Sequence, residues 1–455
     1  METAAIQLSP SHVGLIKASG EVTKESLEAC NELLQKNHEE WHMFFRDTAG
    51  HNHIVHSLLT VLALGAGPEE LKARYEDGVP IQRVMPSVDD ELLETLRKSD
   101  GSDALYDSIV GQVHQYHTYL EFFKGEIREK GWKEVIQQYV LARSKLSDLI
   151  LARMYEGAYH PIIHLGLGVE FQQPAIVAEA LAQAAAHDDA RISTLFKNAE
   201  EEAAISYPAR KPKSMLELVH EVRATDAIRN APKWTDFGNK MRDGIVGRAG
   251  EAMASLAAQF RIKSDEKDLE RRTAEMISTC AYFAGAAQDK SKPNRRIKID
   301  FFYMHCVTSS IFFSVFNKQD WIKLEDRVRL VEWKARLDLA WYAVSGSAVL
   351  DGSAISTYSS PHSDGLDWDG LFDRVIKEHD DGHAAKFIRA LKNGEDSAKE
   401  FEQGEYKEYF PMQGDMWLRL ARMCQDTTEG RPSDLKWVPF TGFDQPWNRP
   451  DLAAP

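Results

Sequence analysis

The segment Ile299–Phe316 reads IDFFYMHCVTSSIFFSVF. Whether it is a membrane span or a core helix decides what the rest of the chain can build. Its length approaches the roughly 20 apolar residues that a bilayer requires. Asp300, His305, Thr308, Ser309 and Ser310 interrupt it, and such groups are costly in hydrocarbon, where no water satisfies them. The segment is therefore expected to be a buried helix in a large helical core. Outward from it, helix follows helix. Thr23 is placed to cap a helix through Arg46, with Leu27, Leu33, Leu34, Trp41 and Phe45 at helical spacing. A second, Leu-rich helix spans His53–Ala66, and Pro68 suits the first position of the next. Trp132–Glu156 reads as one long helix that Gly157 ends in the left-handed conformation. Pro174 starts an Ala-rich helix through His187, and later ones are expected near 214–225, 241–260, 265–288, 300–317, 325–350, 369–392 and 412–427. Period-two alternation is rare, so strands are not expected. Loops are expected at Asp77–Val88, Tyr207–Ser214, Gln288–Lys298 and Ser353–Asp369. The expected fold is all-α: one large multi-helix catalytic domain over residues 1–455, ending in an irregular Pro-containing tail from about residue 430.

The bulk numbers narrow the class. The chain has 455 residues, a hydrophobic share of 43% and a formal net charge of −15. Such a balance disfavours nucleic acid and anionic membranes, which need concentrated Lys and Arg. Cys30, Cys280, Cys306 and Cys424 are isolated, as expected of reduced core thiols. The start METAAIQLSP lacks a basic stretch followed by an apolar run. A cytoplasmic protein is expected, with no nucleic-acid or membrane partner; the oligomeric state stays open.

Histidines carry the chemical signal. His51, His53 and His56 lie together at the start of an apolar helix. His160 and His164 are four apart in GAYHPIIHLGLGVEF, as are His379 and His383 in KEHDDGHAAKFIRAL, so within a helix each pair shares a face. His305 sits in the most apolar helix. Imidazole is the commonest side-chain metal ligand, and helices that converge in a bundle can gather such groups around one ion. The competing expectation for each is a hydrogen-bonded core or surface histidine. Aromatic residues flank these segments: Tyr116, Tyr119, Phe122 and Phe123 after His114, and Phe301, Phe302 and Tyr303 before His305. They suit either core packing or a flat apolar pocket.

Other templates touch the same residues. His38-Glu39-Glu40-Trp41-His42 matches the zinc-peptidase pattern His-Glu-x-x-His, but Phe45 stands where the extended form has Gly. Glu39 to His42 and Glu217 to His220 each contain the Glu-x-x-His of di-iron bundles. His379-Asp380 has the dipeptide of helical phosphohydrolases, and His362-Ser363-Asp364 the composition of a facial triad. Gly166-Leu167-Gly168 lacks the third glycine and the strand–turn–helix setting of a dinucleotide site.

Together HNHIVHSLLTVLALGAGPEEL, GAYHPIIHLGLGVEF, FFYMHCVTSSIF and HDDGHAAKFIRAL, in this order from about residue 50 to 390, resemble the questin oxidase-like family of fungal polyketide enzymes. The resemblance implies oxidative opening of anthraquinone or related rings. It is nearest to a non-haem iron dioxygenase that cleaves an anthraquinone C–C bond with O2. It implies Fe(II) held by His56, His160 or His164, His305 and His383, with Lys377 as a CO2-derived carbamate; His56, His305 and His383 are the expected catalytic set. The alternative is an NADPH-consuming Baeyer–Villiger-type oxidase of the same aromatic polyketide substrates. A helical metal-dependent hydrolase is a further rival.

Overall fold

A computed structural model describes residues 5–47, 50–98, 103–108, 112–188, 191–206, 211–288 and 295–453. Parts of two expected loops, 207–210 and 289–294, lie outside the described residues, as do the first four and last two residues. The described chain is all-α, with isolated bridges such as Trp41 to Val84 and Phe44 to His51 in place of a sheet. Among the described residues no helix is long and apolar enough to cross a membrane.

Local chemistry sets the boundaries. Thr23 caps Lys24–Glu40 through its side chain, which accepts from the Ser26 amide, so one otherwise orphaned donor is satisfied. Pro68 takes the first position of Pro68–Gly78. The expected long helix from Trp132 is instead broken. Trp132–Ile136 runs into a π-helical turn, Gln137–Leu141, and a new helix, Lys145–Met154, starts at a Ser144 cap. Arg143 adopts a positive φ of 56° at the break. The expected helix 369–392 is also two helices, Trp368–Val375 and His383–Ala398. Between them Gly382 turns the chain at φ 82°. The Asp380 carboxylate accepts from the Gly382 and Ala384 amides.

The chain forms two compact units. The first comprises Met1–Asp189, Lys318–Ile322 and His379–Lys386; the second comprises Ala190–Asn317, Lys323–Glu378 and Phe387–Pro455. In the first, Pro174–Ala186 packs along Glu156–Glu170 and Tyr116–Lys130, and Ile54–Ala63 also meets Glu156–Glu170. The apolar stretch Ile54–Ala63 is buried on every side, as a helix hydrophobic all round must be.

In the second unit Phe301–Asn317 packs between Glu266–Ala286 and Leu324–Val344. Its polar residues are satisfied within the protein. Asp300 caps it, accepting from the Phe302 amide at 2.7 Å and the Tyr303 amide at 3.2 Å. Thr308 and Ser309 bond back to the His305 carbonyl, and Ser310 to Val307. Asp300 also accepts from the Thr441 amide and hydroxyl, pinning the C-terminal tail. That tail is packed, with Val438, Trp447 and Leu452 forming a buried cluster. Cys30, Cys280, Cys306 and Cys424 are all buried free thiols. At the centre of this unit Lys334 and Asp338, both fully buried, form an ion pair one helical turn apart. Lys334 donates also to the Cys306 carbonyl, and the Cys280 thiol donates to Asp338 at 3.0 Å.

Removing one partner strands the other charge. Lys334→Met is expected to lower the unfolding free energy by roughly 3–5 kcal/mol, seen as a lower urea midpoint. Adding Asp338→Leu to it is expected to recover most of the loss.

Candidate metal centre

The first unit gathers histidines from three segments. His53 sits at the N-cap of Ile54–Ala63, where Asn52 rather than its own ring caps the helix by accepting from the Ile54 amide. His56 follows in the first turn. His160 and His164 lie on Glu156–Glu170, whose entry is strained: Gly157, Ala158 and Tyr159 have φ of 54°, 54° and 70°. Left-handed backbone at two non-glycine residues is costly and clusters at functional sites. Here it delivers His160 with its Nδ1–H on the Gly157 carbonyl. Because regular helix resumes only after this turn, Pro161 occupies a first-turn position, where its missing N–H costs nothing. His383 opens the helix that follows the Asp380-Asp381-Gly382 turn.

The nitrogens of these rings point at one another. His53 Nε2 and His160 Nε2 are 2.7 Å apart. Among the described residues His53, His160 and His383 form a group whose ligand atoms all lie within 4.8 Å of one another. Beside it His56 Nε2 meets His164 Nδ1 at 3.1 Å, and the His56 ring lies 5.9 Å from that of His160. Outer nitrogens are tied down by acceptors: His160 by Gly157, His383 by the Asp381 carboxylate, and His164 by the Glu179 carboxylate at 2.7 Å. Such outer partners fix the tautomer and aim the inner lone pair, the usual arrangement around a protein-bound metal.

Electrostatics favour neutral rings. Burial, with the nearby Lys386 and other histidines, holds His56 well below the ordinary histidine range. Burial likewise lowers His53, against the opposing pull of Asp381. Neutral imidazole is the form that ligates. Burial alone would raise Glu179, yet hydrogen bonds from His164 and His38 bring it down to about 2, so it stays ionised. Among the described residues, the buried atoms here without a hydrogen-bond partner include His56 Nδ1, Lys386 Nζ and His38 Nε2. Burial pushes Lys386 down to about 8, opposed by Asp381 and Asp380. Neutral nitrogens and a buried amine that can be neutral suit a cation.

The expected residues fare unequally. His56, His160, His164 and His383 come together. His305 belongs to the second unit, where its Nδ1–H bonds to the Phe301 carbonyl one turn back and its ring packs on Phe301. Lys377 is exposed, since the Ile376–Lys377 turn ends its helix. The helix break also separates His379 from His383. His379 is exposed and bonds Asp77, while Asp380 is spent on capping, which removes the phosphohydrolase pair. His38 and His42 do not converge either: His38 bonds Glu179, and His42 bonds the Val113 carbonyl. Glu217 caps its own helix through Ser214 and His220 is exposed. His362 pairs with Glu429 at the surface. Gly166 and Gly168 lie inside a helix, Gly168 against Val177. Sequence reasoning left His53, Asp381, Glu179 and Lys386 out of the site. For Lys386 a signal existed, because it stands three residues after His383, on the same helix face.

One further pair extends the cluster. His51 stacks on His160 at 4.2 Å, and its Nε2 lies 2.9 Å from His187 Nε2. Gly157 makes room for them, since a Cβ there would meet His187 Nε2 and His51 Cε1 at 2.5 Å. Gly157→Ala is accordingly expected to cost roughly 1–3 kcal/mol in urea unfolding. Gly125→Ala, in a helix with nothing within 4 Å, is expected to be neutral or stabilising. A second outcome concerns pH. His42 is lowered to about 4, by burial and then by Arg83, and His53 and His56 are also depressed. Below about pH 6.5 the unfolded chain takes up protons that the folded chain refuses. Stability of the metal-free protein is therefore full above that pH and falls below it, by up to about 1.4 kcal/mol per pH unit for each such histidine. Urea titrations from pH 7.5 to 5 check this.

Comparison with known proteins places the chain in a family. The family model described as questin oxidase-like matches residues 50–391. A Baeyer–Villiger monooxygenase of Cryptosporiopsis sp. is 71% identical over 453 residues, covering all of both chains. A Baeyer–Villiger oxidase of Paecilomyces divaricatus is 60% identical, covering 98% of this chain and 96% of its own. A questin oxidase of Aspergillus terreus is 44% identical, covering 98% of each chain. These names overturn the expected iron dioxygenase that cleaves a C–C bond: relatives similar along their whole length are Baeyer–Villiger enzymes, which insert one oxygen atom beside a carbonyl. They agree with an oxidoreductase of fungal aromatic polyketide metabolism. Matched across most of its length, the chain belongs to the questin oxidase-like family.

Proposed function

We propose that this protein is a Baeyer–Villiger-type oxidase that inserts one atom of O2 next to a ring carbonyl of an anthraquinone-class polyketide. The observation that carries this is the 71% identity, over both full lengths, to a Baeyer–Villiger monooxygenase. The second oxygen atom leaves as water, so each turnover needs two electrons and two protons; NADPH is the proposed source of a hydride, and solvent supplies the second proton.

The histidine cluster is the proposed reaction centre. His53, His160 and His383, with His56 and His164 beside them, would hold a divalent ion; Fe(II) is the proposed metal. When bound, such an ion supplies the one-electron chemistry that triplet O2 needs. The anionic ligand expected as a carbamate on Lys377 is better drawn from Lys386, whose buried, unpartnered amine can be neutral near physiological pH. The protein's own groups prepare the site. Asp381 and Gly157 hold two rings in one tautomer, and burial favours neutral imidazoles at His53 and His56. Phe44 packs its ring 5.3 Å from the His51 ring and 5.6 Å from that of His187, an apolar contact beside the cluster.

The test is turnover of a panel of hydroxyanthraquinones under labelled O2. One labelled atom in the product, one in water and one NADPH consumed per turnover are expected. Two labelled atoms in the product, without NADPH use, would sink the proposal. In the same assay Lys386→Met is expected to lose at least about tenfold in rate, and Lys377→Ala to stay near wild type.

A further inference from the structure

Outside the group of candidate ligands lies a buried acid that the proposed chemistry does not use. Glu179 projects from Pro174–Ala186 and is 1% exposed. One of its oxygens accepts from His38 Nδ1–H and the other from His164 Nε2–H, each at 2.7 Å. An ionised carboxylate can only accept, so both histidines must present N–H groups to it. His38 belongs to the Lys24–Glu40 helix and His164 to Glu156–Glu170. One carboxylate thus ties three helices. The opposite nitrogen of His164, Nδ1, is the atom that faces His56 Nε2 at 3.1 Å.

We propose that Glu179 is a positioning residue that holds His164 in its Nε2–H tautomer, keeping the Nδ1 lone pair aimed at the metal centre, with His38 as the second donor that fixes the carboxylate. This rests on the metal-centre reading for its consequence, but the tautomer itself is a property of the metal-free protein. A glutamine at 179 is nearly isosteric but offers one oxygen and one NH2. It can accept from only one of the two rings. The other ring then faces a donor and must turn its tautomer around. If that ring is His164, its Nδ1 becomes protonated and cannot ligate. If it is His38, the neutral amide still replaces a charged acceptor and weakens the hold on His164. The His-Glu-x-x-His motif therefore finds its use in His38, as a buttress rather than as a zinc ligand.

The experiment labels histidine nitrogens with 15N and reads each ring's tautomer by NMR in chelator-treated protein, then titrates cobalt(II) as probe metal. Wild type is expected to show His164 protonated on Nε2 and bare on Nδ1. Glu179→Gln is expected to switch His38 or His164 and to weaken cobalt binding by 10- to 100-fold. Glu179→Asp, which keeps both acceptor oxygens, is expected to keep the tautomers and lose less affinity. Wild-type His164 protonated on Nδ1 overturns the proposal without any variant having to fold. So does Glu179→Gln with unchanged tautomers and wild-type cobalt affinity. Wild-type protein that binds no cobalt yet shows the expected tautomers would instead count against the metal centre and leave the positioning role standing.

Discussion

A neutral imidazole has one donor and one acceptor, and burying it obliges the protein to find a partner for the donor. The first unit meets that obligation several times within a small volume. Gly157 serves His160, Asp381 serves His383, Glu179 serves His164 and His38, and Val113 serves His42. For His160, His383 and His164 the partner takes the outward nitrogen and leaves the other facing the cluster, while His42 Nδ1 accepts from the Phe44 amide. The left-handed turn at Gly157–Tyr159 and the glycine turn at Gly382 exist in service of this arrangement, because each places an acceptor beside the histidine that follows it. The local backbone strain is offset by the buried hydrogen bonds that it permits.

Much of the fold was legible because its signals are local. The Thr23 cap, Pro68 at a helix start, the left-handed Gly157 and the satisfied hydroxyls of Phe301–Asn317 act within one turn of the residues that reveal them. The two broken helices read as continuous: apolar periodicity runs on across the first interruption, whereas the second falls in the polar run 377–383, which the expected helix passes over. At Ser144 and Asp380 a side-chain cap takes over the backbone amides and restarts the helix.

The site was legible in outline for the same reason and opaque in detail for another. A pair four apart on one helix announces itself, as His160 and His164 do. The break before His383 leaves Lys377 exposed and Lys386 buried, since orientation after a turn does not follow from spacing before it. Glu179 lies fifteen residues from His164 and far from His38, so only packing reveals the contact. The reaction type was read one step too far. A cluster of histidines suits several outcomes of O2 chemistry, and counting histidines does not choose among them.

Three of the four thiols acquire a meaning from the proposed chemistry. A protein that handles O2 next to an electron donor stands at risk from its own partially reduced oxygen, and the thiolate is the form that such species attack. Cys30, Cys280 and Cys306 are sealed from solvent, and burial raises all three above the ordinary thiol range. The Asp338 charge adds to the effect at Cys280 and Cys306. The carboxylate that anchors the buried lysine thus also keeps two sulfurs protonated, and an ion pair placed for packing doubles as protection against oxidative wear.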